Sequence, residues 1–71
     1  MTDYQSIALR RRLARVEREH AQDHDMVAAG SAYLVHREFH QQAAASCRLR
    51  AQAYEDRADR EEARYATEAC R

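Results

Sequence analysis

The residues of this chain best suited to chemistry are four histidines, His20, His24, His36 and His40. They form two i, i+4 pairs. That spacing puts both imidazoles of a pair on one helix face, where they can chelate a divalent metal. The pairs are also placed symmetrically about the only glycine, Gly30. A chain folded back at Gly30 brings His24 opposite His36 and His20 opposite His40, a tetrad able to hold zinc, nickel or iron. Glu17 and His20 add the i, i+3 spacing of carboxylate-bridged bundles, with Asp23 nearby. Two features oppose a metal site: only His20 and His40 fall on the predicted packing seam, and the second helix has no Glu-x-x-His. The competing reading is a polar layer that sets register, hydrogen-bonded to Asp23, Arg37 or Glu38. On either reading clustered histidines make assembly sensitive to pH near about 6.

The elements that must position these side chains are helices. The chain has 71 residues, no proline and one glycine, and is rich in alanine, arginine, glutamate and glutamine. This is the composition of long helices with a single break, and the expectation is a single helical-hairpin domain over 1–71. Helix one is expected over about 3–29, with Thr2-Asp3-Tyr4-Gln5 as its capping box. Its predicted seam is Leu9, Leu13, Val16, His20, Asp23 and Val27, in heptad steps. Ala29-Gly30-Ser31 is the predicted turn, with glycine just past the helix end at positive φ and serine capping the next helix. A break at Asp23 or Asp25 is the alternative. Helix two is expected over about 32–69, with a seam of Tyr33, Arg37, His40, Ala44, Cys47, Ala51, Tyr54, Ala58, Glu61 and Tyr65. In that pairing Val16 meets Ala44, Leu13 meets Cys47 and Leu9 meets Ala51, large against small. The predicted hairpin leaves helix two unpartnered beyond Ala58.

A second stripe, Ile7, Ala14, Ala21 and Ala28, repeats every seven residues on helix one. Phe39, Ala43, Ser46, Leu49 or Arg50, and Ala53 form a looser one on helix two. Apolar surface on two sides of a helix pair calls for a further partner. The simplest is a second copy, giving a homodimeric four-helix bundle.

All 12 basic residues are arginine, balanced by 12 acidic ones to a formal net charge of +0. No global field draws the chain to nucleic acid or membrane. Arg10, Arg11, Arg12, Arg15 and Arg18 lie on helix one, and a stripe of Arg11, Arg15 and Arg18 is the only candidate nucleic-acid face. Glu55, Asp56, Asp59, Glu61 and Glu62 can neutralise it, from the same chain or from a dimer partner. No stretch reaches the ~18 apolar residues of a membrane span, and the polar start of the chain is unlike a signal peptide. These features predict a cytoplasmic protein with reduced thiols. Cys47 and Cys70, roughly 35 Å apart on one helix, are too distant to bridge. No catalytic constellation or phosphate loop is present, so no enzyme is predicted, and no cofactor beyond the histidine-bound metal.

With its small seam residues the hairpin resembles, in architecture alone, the Rop family of plasmid RNA-organising four-helix bundles. In size, helical hairpin and lack of catalytic motifs it also looks like small phage-encoded inhibitors and adaptors that disable a host factor, anti-CRISPR and anti-quorum-sensing proteins among them. That likeness implies a protein that works by occupying a partner's surface, such as that of a transcriptional regulator or a defence complex. Tyrosines, arginines and exposed apolar residues are the usual anchors of such surfaces. The expected partner-binding residues are therefore Tyr4, Ile7, Arg11, Arg15, Phe39, Tyr54 and Tyr65.

Overall fold

The computed structural model describes residues 3–70, and side chains from Gln5 onward. The expected cap at Thr2 and the side chain of Tyr4 lie outside the described residues. Two helices, α1 (Asp3–Gly30) and α2 (Leu34–Ala69), pack against each other as an antiparallel hairpin. The rod measures 58 × 14 × 14 Å.

The turn is Ser31–Tyr33, later than expected. Gly30 is the last residue of α1, and no glycine has positive φ. The helix runs through Gly30 because nothing obliges it to stop there. Ser31 does not cap α2; Tyr33 holds that position in an extended conformation, with no side-chain hydrogen bond to the helix end. The Ser31 hydroxyl instead closes the turn on itself, donating to the Tyr33 carbonyl at 3.2 Å. Arg37 donates to the Ser31 carbonyl at 3.0 Å and satisfies one of the turn's free acceptors.

The later turn changes which face of α1 is inside. The buried residues are Ile7, Ala14, Ala21 and Ala28 from α1, and Ala44, Cys47, Ala51 and Ala58 from α2. The α2 seam is the expected one from His40 to Glu61, whereas Tyr33, Arg37 and Tyr65 at its expected ends are exposed. The α1 seam is not the expected one: the stripe expected to face outward packs inside, while Leu9, Val16, His20, Asp23 and Val27 are exposed and Leu13 is half-buried. Alanine recurs every seven residues on both sides, at 14, 21 and 28 and at 44, 51 and 58. Side chains this small let the helix axes come close.

Between the alanine layers the seam is polar. Arg10 and Glu61, both half-buried, form an ion pair. Glu17 accepts from Arg50 at 3.1 Å, and His24 meets His40. Arg11 pairs with Glu62, so α2 is partnered well past Ala58, and the expected long overhang shrinks to its last few residues.

Candidate functional site: an apolar flank and a histidine pair

The two flanks of this seam differ in kind. On one, heptad-spaced charges join the helices: Arg11 with Glu62 and with Asp59 at 3.1 Å, Arg18 with Glu55 at 2.8 Å, and Asp25 with Arg48. Arg18 is bidentate, its Nε and Nη2 donating to the two oxygens of Glu55. This hydrogen bond, aided by the guanidinium charge, holds the Glu55 carboxyl below its ordinary range. The acidic segment of α2 therefore neutralises arginines of its own chain. Arg11 and Arg18 are committed within the hairpin, which leaves Arg15 exposed as the remaining member of the proposed nucleic-acid stripe.

Helical spacing sets Leu13, His20 and Val27 of α1 on the opposite flank, with Leu9 and Val16 further around the helix. The facing flank of α2 carries His36, Ala43, Arg50 and Arg57, with Phe39, Ser46 and Ala53 beyond them. Leu9 and Val16 stand at the margin of exposure, whereas Val27 and Phe39 are well exposed. Large apolar side chains on α1 thus lie along one open face with Ala43, Ser46 and Ala53 of α2, among the larger His36, Phe39, Arg50 and Arg57. Met26, Leu34, Val35 and Leu49 add exposed apolar surface outside it.

The expected partner-binding residues are scattered by this geometry. Ile7 is only 8% exposed and packs between the helices, so it presents nothing outward. Tyr54 is half-buried at the seam and Arg11 is held in the charge ladder. Tyr65 is exposed beside Ile7, Ala8, Arg11 and Glu62, around a shallow groove at the open end of the rod. Phe39 and Arg15 are exposed. The helix-one residues of the open face are those that heptad spacing and apolar volume place in the core. The signal that could have separated the two stripes was charge: only the alanine seam sets Arg10, Arg11, Arg18 and Asp25 against Glu61, Glu62, Glu55 and Arg48.

The four histidines do not converge. The turn is centred two residues later, on Ala32 rather than Gly30, so the expected pairs, His24 with His36 and His20 with His40, are replaced by His24 with His40. Their Nδ1 atoms are 2.9 Å apart and their ring centroids 5.1 Å apart. Both rings are half-buried, while His20 and His36 are exposed. Phe39 and His40 stand edge to face with ring centroids 5.2 Å apart, and His36 instead meets Tyr33 with centroids 5.6 Å apart. Among the described residues no group of three or more histidine, cysteine or acidic side chains is arranged to hold a metal ion.

Cys47 is buried, with the Arg50 guanidinium 3.2 Å from its sulfur, and Cys70 is exposed. Among the described residues no helix is long and apolar enough to cross a membrane. No protein-family model matches the chain, and neither the curated proteins nor the solved structures searched give a match.

Proposed function

We propose that this chain is a non-catalytic protein–protein interaction module, a small cytoplasmic regulator or inhibitor that acts by covering a partner's surface. It first pairs with a second copy of itself. The observation that carries this reading is the segregation of the two flanks. Charges pair with one another across the helices on one side, while on the other Leu9, Val16, Val27 and Phe39 are exposed and Leu13 is half-buried, with Arg50 and Arg57 among them. A rod 58 Å long and 14 Å wide offers on the order of 800 Å² on one long face, the area each partner contributes to a standard interface. Leu9, Leu13, Val16 and Val27 on α1 and the small Ala43, Ser46 and Ala53 on α2 suit a two-fold pair in which α1 of each copy lies over α2 of the other, giving a four-helix bundle. The exposed apolar residues outside this face, Met26, Leu34, Val35 and Leu49, then remain for a different protein, as in the phage-encoded inhibitors it resembles.

Replacing Leu13 and Val16 together by glutamate tests the reading. The expected product is a monomer by light scattering with reduced helicity by circular dichroism, because two carboxylates in the apolar face cannot be buried unpaired. A variant that keeps the wild-type mass and helicity would show that this face is not the self-association surface.

A further inference from the structure

The His24–His40 pair has chemistry that an interaction module does not use. We propose that these two imidazoles form a cross-helix chelate for a divalent cation of the zinc, nickel and copper group. These cations favour neutral imidazole nitrogen. The donor atoms are already close: the two Nδ1 atoms are 2.9 Å apart, and a tetrahedral zinc with bonds of about 2.0–2.1 Å holds two nitrogens about 3.3 Å apart. The centroid spacing of 5.1 Å means that the rings point almost head-on. In the neutral pair one Nδ1 carries a proton and donates while the other accepts. A cation replaces that hydrogen bond: the donor ring gives its Nδ1 proton to water and takes one up at Nε2, so both rings stay neutral and both Nδ1 lone pairs face the cation. It sits off the line between the nitrogens, so each ring turns by about 35°, largely about χ2, a torsion whose well is broad for histidine.

The surroundings shape the site. The Phe39 ring bounds the His40 ring on one side. The pair is half-buried, so water reaches the cation and completes its shell, since no third protein ligand joins the pair among the described residues. Such a site is open and of modest affinity. His20 and His36 stand one helical turn from His24 and His40, each on the same helix as its neighbour, and are exposed. Chelation by either i, i+4 pair is the rival arrangement, and the two differ in which substitutions matter.

The test is a calorimetric titration of zinc chloride into the full chain carrying Cys70→Ser, which removes the exposed thiol as a competing ligand. Imidazole ¹⁵N spectra are recorded alongside. The proposal expects one zinc per chain, with the Nδ1 signals of both His24 and His40 moving to metal-bound positions. His24→Gln and His40→Gln should each weaken binding by about tenfold or more, and His20→Ala and His36→Ala by less than about threefold. Circular dichroism establishes that the glutamine variants remain helical, and the nitrogen shifts decide the ligands without any substitution. Absence of binding, coordination through Nε2, or a loss in His20→Ala or His36→Ala equal to that in His24→Gln would each overturn the cross-helix chelate.

Discussion

Gly30 is the residue whose role changes most between sequence and structure. A glycine beside a serine reads as a helix stop at positive φ, yet Gly30 ends α1 without positive φ, and a Cβ built there meets nothing within 4 Å. Gly30→Ala should therefore stabilise the hairpin, by about 0.4–1 kcal/mol, because alanine restricts the unfolded chain at no cost to the folded one. A lower melting temperature for this variant would mean that Gly30 takes the left-handed conformation after all. Glu55 supplies a second check. Its folded carboxyl is held below its ordinary range, first by the hydrogen bond from Arg18. Its contribution to stability is therefore present above the ordinary carboxylate pKa and lost as pH falls through the lower, folded value. Carbon-detected titration of Glu55 should show the depression, and Arg18→Ala should return it to the ordinary range. An unchanged Glu55 titration in Arg18→Ala would rule out this pair as the cause.

The helices themselves were readable from heptad spacing, and so was the middle of the α2 seam, Ala44, Cys47, Ala51 and Ala58. The α1 seam was not. Leu9, Leu13 and Val16 carry more apolar volume than Ala14 and Ala21, and volume alone favours them as core. Two conditions override it: alanine on both helices permits close axes, and the polar layers match only in this register. Arg10 meets Glu61 and His24 meets His40, whereas a slip of one heptad sets Arg10 against Tyr54. The histidine geometry inherits the same error, since a two-residue shift at the turn brings His24 to His40 and leaves His20 and His36 apart. Ala21→Leu, at a site 1% exposed, should overpack the seam and cost about 1–3 kcal/mol. The same enlargement at Val16 should be nearly neutral for the folding of one hairpin. Thermal or urea melts compare the two, and equal losses would contradict an alanine seam. Arg10→Glu should destabilise the hairpin by setting like charges together, and combining it with Glu61→Arg should restore stability, with a coupling of about 0.5–3 kcal/mol. Purely additive losses would mean that the pair does not set the register.

Taken as a molecule, the hairpin is a rod whose own contacts are made of small residues and ion pairs, and whose larger apolar side chains stay outside. Interhelical ion pairs this exposed contribute little each, and a chain of 71 residues has a modest core to begin with. On the proposed function, assembly is part of its stability, and the apolar face is where further burial is available. Sedimentation equilibrium of the unmodified chain tests this most directly. The account predicts a dimer, twice the 8.3 kDa chain mass, with helicity and mass lost together on dilution. A fully helical monomer that persists at high protein concentration would contradict it.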